Sequence, residues 1–276
     1  KDDFKIYWKN FPIAKLIAGK DYLNPDLFLI VDDILEIADK RKLSEFIEKW
    51  IKEKINIVLK SLIDLKNLKE SNSSIKALAY QLYENNGVIK REKVVEYLKK
   101  LGQEERKVLR DLGVKFGRYH VFLFKLLKPE AVSLRTLLWK NFHQKYFNLT
   151  PPTFGLNFLE DKNFNNKNFM LLCGFESFDQ FFVRIDILER LFVQIINANP
   201  DKKKEIKLIP EMLNLLGCSK DNFVKLIQNM KYKSYIKDKE IYFQYNPPKE
   251  KNKRMFIKKD TADSPFQVLK DINFNQ

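Results

Sequence analysis

Glycine is scarce, at 8 residues in 276, and cysteine is scarcer, at 2. So little glycine disfavours a turn-rich, all-β chain and favours helices. Cys173 and Cys218 lie far apart in apolar surroundings, and no metal or redox spacing joins them. Both read as small buried hydrophobes of a reducing cytoplasm. Long apolar runs are missing as well. The longest, Leu27-Phe28-Leu29-Ile30-Val31, falls well short of the roughly 18 residues that cross a bilayer. No signal peptide is visible. The chain opens on Lys1 without a Met and runs at once into strand-like sequence, which reads as a piece of a longer protein. A phosphate cradle is also lacking. The nearest segment is Ala18-Gly19-Lys20-Asp21. A P-loop needs a glycine where Ala14 stands and a Ser or Thr where Asp21 stands. No Asp-Glu-x-Asp or Asp-Glu-x-His box occurs, so ATPase chemistry is not expected from these residues.

What the chain does have is positive charge, unevenly placed. Net charge is +15. Residues 87–145 carry 15 basic and 6 acidic side chains, and residues 201–259 carry 16 and 7. Residues 1–86 are nearly balanced, with 15 and 14. A lysine-rich composition alone would spread the excess evenly, so two concentrated blocks suggest a polyanion-binding surface. Hydrophobic residues make up 45% of the chain, enough for one large domain or two smaller ones.

The pattern is mainly α, in an α+β setting: a helical bundle with short β-hairpins. Residues 4–17 read as a hairpin turning at Lys9-Asn10. Helices are expected over 26–38 and 43–65, the second with Trp50 in its apolar stripe. Further helices are expected over 75–85, 90–101, 103–112 and 129–142, with Gly102 and Gly113 as stops. Between the last two, Val114 to Phe124 reads as two short strands. Pro151-Pro152 and the Asn-rich 157–168 stretch form a loop. A second hairpin is expected from 169–173 and 181–185, then a helix over 187–197. Residues 206–245 give helix, turn, helix and hairpin, the order of a winged helix. This organisation divides the chain into 1–150, 151–246 and a basic, largely disordered tail, 247–276, in which 264–272 docks as a short helix.

Few side chains suggest catalysis. Asp32-Asp33 is one carboxylate pair; Asp186 and Glu189, one helical turn apart beside Arg184 and Arg190, is another. The second pair could bind magnesium in a nuclease, but an ion-pair ladder on a helix face accounts for it more simply. His120 and His143 show no partners for zinc or acid–base work. No catalytic residue and no metal ligand is expected.

One stretch is distinctive: Leu112-Gly113-Val114-Lys115-Phe116-Gly117-Arg118-Tyr119-His120-Val121-Phe122-Leu123, then Leu126-Leu127-Lys128-Pro129, then Leu134-Arg135-Thr136-Leu137-Leu138-Trp139. It resembles the C-terminal region of alphaproteobacterial DEAD/DEAH-type helicases that are similar to the mitochondrial degradosome helicase. Pro12 to Pro25, Arg184-Ile185-Asp186-Ile187-Leu188-Glu189-Arg190-Leu191, Pro210 to Ser219 and Asp263-Ser264-Pro265-Phe266 resemble further segments of that family, in the same order. One departure is Phe124, where the family usually has a proline; it suggests that the strand continues one residue further.

The resemblance implies two RecA-like motor domains upstream, which would hold ATP and magnesium. It implies no cofactor in this chain, no ATP hydrolysis by it, and a cytoplasmic setting. It also implies a region that helps enclose a translocating RNA or DNA strand, single-stranded by preference. Lys115, Arg118, Lys125, Lys128 and Arg135 offer phosphate donors, Tyr119 and His120 lie among them, and Lys233 and Lys237 add to the second basic block. Phe116 and Tyr119 alternate to opposite faces of a strand, so they do not form one stacking platform. The competing expectation is a protein-interaction module that docks on the helicase's own RecA-like domains or on a ribonuclease.

Overall fold

The computed structural model describes residues 3–31, 35–69, 72–161, 166–199 and 205–246. The Asp32-Asp33 pair, the basic tail and its expected terminal helix lie outside the described residues, as do residues 200–204 of the polar stretch over 199–204 that reads as a linker.

The chain is α+β, with small antiparallel sheets. Strands β1 (Lys5–Trp8) and β2 (Phe11–Asp21) form the expected hairpin, with Trp8 opposite Phe11 and Lys9 at a φ of 53°. A third strand, β3 (Asn24–Leu29), pairs with β2 where a helix was expected from Asp26. Burial there alternates residue by residue, with Asp26 and Phe28 outward and Leu27 and Leu29 inward, and that two-residue period is the strand's own. Helix α1 (Ile37–Val58) follows, then α2 (Lys60–Lys66). Ile47, Ile55, Leu59 and Leu62 face the core, but Trp50 stands off that line and is 49% exposed. It is not the core residue that the apolar stripe suggested.

Helix α3 (Ser73–Glu84) begins at Asn72, whose side chain accepts from the backbone N–H groups of Ser74 and Ile75. It ends through Asn86 and Gly87, both at positive φ, and Gly87 N–H donates to Leu82. The segment expected as a helix over 90–101 divides. Strand β4 (Val88–Lys90) leads into a 3₁₀ turn, Arg91–Val94, and a short α4 (Val95–Lys99). Gly102 is the N-cap of α5 (Gln103–Asp111), so it starts a helix as much as it stops one. Strands β5 (Val114–Phe116) and β6 (His120–Leu123) stand where expected and complete a β4-β6-β5 sheet. At Phe124 the strand does not continue; a 3₁₀ turn, Phe124–Leu127, replaces it. Helix α6 (Pro129–Phe142) has its proline in the first turn, where a missing N–H costs nothing.

Strand β7 (Phe158–Glu160) lies in the stretch read as a loop, and α7 (Lys167–Leu172) where a strand was expected. The side chain of Asn166 caps α7 by accepting from Phe169 N–H at 2.9 Å. The hairpin is β8 (Phe175–Phe178) with β9 (Phe181–Arg184), in a β7-β9-β8 sheet. Helix α8 (Ile185–Asn197) follows directly. The C-terminal part is β10 (Ile206–Lys207), α9 (Pro210–Leu216), α10 (Lys220–Asn229), β11 (Tyr232–Lys237) and β12 (Glu240–Tyr245), with strand order β10-β12-β11. Helix, turn, helix and hairpin thus occur in the expected order, with one short added strand.

One large core joins α1–α3, α5 and the first two sheets through residues such as Leu59, Leu78, Leu109 and Val121. A second joins α8–α10 to the last sheet through Leu188, Phe223, Ile227 and Phe243. A small cluster around Val132 of α6, Phe169, Cys173 and Phe182 lies between them. Each side chain of this size removes roughly 1.5–3 kcal/mol of apolar surface cost when buried. Cys173 is buried and Cys218 half-buried, both as free thiols. Among the described residues no helix is long and apolar enough to cross a membrane.

Candidate functional site

Two of the sequence's distinctive segments meet at one point. The turn between β5 and β6 presents the backbone N–H groups of Arg118, Tyr119 and His120 to the carboxylate of Glu189 on α8. Tyr119 and His120 each donate to Oε1 at 2.9 Å, and Arg118 donates to Oε2. Three converging N–H groups form an anion-binding nest, and here a side chain fills it. Gly117 makes the approach feasible. A Cβ at that position would lie 2.5 and 2.6 Å from the two carboxylate oxygens, inside contact distance. Arg91 braces the same turn, donating from Nη1 to the Gly117 carbonyl at 2.8 Å.

Behind the turn lies a buried ionic chain. His120 is 1% exposed, with Nε2 2.6 Å from Glu176 and Nδ1 3.8 Å from Glu189. Glu176 also accepts from Lys90 Nζ at 2.9 Å. Burial alone would lower the imidazole's pKa, but its contacts with Glu176 and Glu189 outweigh that and raise it. Burial would raise the Glu176 pKa; the bonds from His120 and Lys90 outweigh that and lower it. The two directions agree on an imidazolium between carboxylates. His120 is therefore a buried brace.

In front of this chain opens a groove of 790 Å³. Lys90, Arg91, Arg118 and Lys231 line it with positive charge, against Glu92 and the already paired Glu176. Its aromatic lining includes Tyr119, Phe192, Tyr232 and Tyr245. The Arg118 guanidinium sits 5.4 Å from the Phe192 ring centre, and Tyr119 meets Phe192 edge-on at 5.8 Å. Burial pushes the phenol pKa values of Tyr119 and Tyr232 up.

The residues singled out from sequence are thus dispersed. Arg118, Tyr119 and the buried His120 line the groove. Lys115, Lys125, Lys128, Lys233 and Lys237 are exposed but do not line it. Arg135 is fully buried, which removes it as a phosphate donor. Its guanidinium donates to the carbonyls of Asn86 at 2.6 Å, Leu126 at 3.3 Å and Leu172 at 2.5 Å. These sit at the ends of α3, the 3₁₀ turn and α7, where carbonyls lack helical partners. Desolvation pushes its pKa down to about 10. Phe116 is covered by Arg106 and Arg110, at 5.7 and 5.8 Å from its ring. Asp186 and Glu189 diverge: Asp186 pairs with Arg184 at 2.7 and 3.0 Å, while Glu189 fills the nest. Among the described residues no group of three His, Cys, Asp or Glu could hold a metal ion.

Lys90, Arg91 and Lys231 did not stand out in sequence, although each belongs to a basic block. Phe192 read only as part of an apolar helix, and nothing local placed it against Arg118. Comparison with known proteins finds no family model, no curated protein and no solved structure that matches this chain.

Proposed function

We propose that this chain is a non-catalytic accessory region of an ATP-dependent helicase, binding single-stranded RNA or DNA and guiding it beside motor domains carried elsewhere. The observation that carries this reading is the groove in which Lys90, Arg91, Arg118 and Lys231 meet an aromatic lining. Cations track a phosphate backbone while bases stack on rings, and that pairing suits a single strand. The run α8, β10, α9, α10, β11, β12 follows the order of a winged helix, with strand order β10-β12-β11. In this reading α10 offers Lys220 and Lys225, and the hairpin tip offers Lys237 and Lys239. ATP and magnesium belong to the motor domains, which are also its partners.

Fluorescence anisotropy with labelled single-stranded and duplex RNA and DNA tests it across several salt concentrations. Log affinity for a single strand should fall with log salt by about 0.7 per phosphate contacted. Arg91→Glu and Lys231→Glu should each reduce that slope by about one contact or more. Binding that ignores salt would refute the reading.

A second reading has an observation of its own. Trp8, Phe11 and Phe28 on the first sheet are 65%, 72% and 58% exposed. Such a face suits docking onto protein, either the RecA-like domains or a ribonuclease. Co-elution with those domains, together with no nucleic-acid affinity, would favour it.

A further inference from the structure

A second cavity, of 690 Å³, shares no lining residue with the groove. That volume is within the usual range of small-molecule sites. Tyr80 and Tyr83 of α3 line it with Trp139 and Phe142 of α6. Tyr22, between β2 and β3, also lines it, and its buried hydroxyl has no hydrogen-bond partner among the described residues. Polar groups lie among these rings: Asp21, Glu84, Lys66 and Lys76, with the His143 imidazole. Lys66 is 3.9 Å from Asp21 and 5.2 Å from the Tyr83 ring centre. Asn86 lines the cavity too, and its carbonyl accepts from Arg135, which meets no carboxylate among the described residues. A positive charge therefore stands behind this wall.

We propose that this cavity binds one nucleotide, its base between the rings of α3 and α6 and its phosphate toward the lysines. Aromatic walls select a flat ring. Asp21 already accepts from Leu23 N–H and from Asn24 at 2.9 Å, so Glu84 is the carboxylate that accepts hydrogen bonds from the amino groups of adenine, guanine or cytosine. Lysines favour a phosphate. Few ligand classes combine a flat ring, amino edges and an anion as a nucleotide does. The nucleotide can come free or as one unpaired residue of a strand. The inference stands apart from the groove and from the helicase reading.

Tryptophan fluorescence of the full chain tests it. Trp8→Phe with Trp50→Phe removes two exposed rings and leaves Trp139, in the cavity wall, as the remaining one of 3. Adenosine, guanosine and cytidine monophosphates should quench it saturably, uridine monophosphate more weakly, and ribose 5-phosphate not at all. Tyr80 is 60% exposed, so Tyr80→Ala should leave the fold intact while weakening binding roughly tenfold to hundredfold, as loss of a stacking partner does. The idea is overturned if neither a free nucleotide nor a short single strand saturates below about 1 mM, the weak end of specific affinity. It is equally overturned if ribose 5-phosphate quenches as well as the nucleotides, or if Tyr80→Ala changes nothing. Quenching by a short single strand but not by free nucleotides would identify the strand as the source; the reverse would identify free nucleotide. Saturable nucleotide quenching in a chain without salt-dependent strand affinity would retain this inference and remove the helicase reading.

Discussion

Replacing Gly117 with alanine should act through Glu189 and through little else. The added Cβ would come 2.5 and 2.6 Å from the Glu189 oxygens. Gly117 is not among the glycines at positive φ, so alanine's own backbone preference adds no strain. The carboxylate must therefore leave three N–H groups that it now accepts from. Hydrogen bonds to a charged group contribute roughly 1.5–3 kcal/mol each. Arg118 is exposed, and water recovers part of that loss, so a net cost of about 2–4 kcal/mol is expected. Glu189→Ala should cost about the same, because it empties the same nest. In the Glu189→Ala background the clash is gone. Gly117→Ala should then cost nothing, or stabilise by roughly 0.4–1 kcal/mol by restricting the unfolded chain. Urea midpoints of the four proteins, followed by circular dichroism, give the coupling energy directly. An equal cost for Gly117→Ala in both backgrounds would refute the reasoning, and so would a cost below about 0.5 kcal/mol with Glu189 present.

Other outcomes follow from the same structure. Arg135→Lys should destabilise by at least about 2 kcal/mol, since an ammonium cannot reach three carbonyls from one planar fork, yet leave the salt dependence of strand binding unchanged. The His120–Glu176 pair should shape the pH dependence of urea stability. Glu176, held below its ordinary 4.5 despite burial, contributes stability above that value, and this is lost as pH falls through its lowered pKa. His120, held above its ordinary 6.5 despite burial, contributes below that value, and this is lost as pH rises through its raised pKa. His120→Gln should remove the decline on the alkaline side; a decline unchanged in that variant would sink the assignment. Phe223→Ala, in the second core, should cost about 3–5 kcal/mol by thermal or urea unfolding, and Trp50→Ala less than about 1 kcal/mol.

Local signals in the sequence were legible where one periodicity or one cap dominates. The first hairpin, α6 with its leading proline, and the run from α9 to β12 are of this kind. Misreadings arose where two periods fit the same residues. Asp26 to Leu29 carries apolar side chains that suit a helix face or a strand, and pairing with β2 decided for the strand. Phe169 to Leu172 is an apolar run too short to distinguish the two, and the Asn166 cap decided for the helix. The site was less legible than the fold. Charge density marked the two blocks of chain that supply the groove's cations, but charge says nothing about burial. Arg135 and Lys115 look alike in sequence; one ends under three helical ends and the other in water. The partner of Gly117 lies 72 residues away, and no local pattern predicts such a contact.

That distance bears on what the distinctive segments are for. Gly117, His120, Arg135 and Glu189 come from the segments that stood out most in sequence, and all four are used inside the molecule. Gly117 makes room for Glu189, Glu189 fixes the turn, His120 links it to Glu176, and Arg135 holds three helical ends together. The groove's cations differ in what fixes them: Arg91 is held by the Gly117 carbonyl, Arg118 leans on Phe192, and Lys231 follows α10 at a φ of 70°. These four recognisable residues thus build the frame, while Arg118 of the same stretch and the less conspicuous Lys90, Arg91 and Lys231 face the groove. Glu189→Ala should accordingly weaken strand binding by loosening the Arg118 turn while leaving the salt slope nearly intact, because no phosphate contact has been removed. Lys231→Ala should reduce the slope by about 0.7 with little change in stability. The opposite pattern would mean that the frame itself touches the strand.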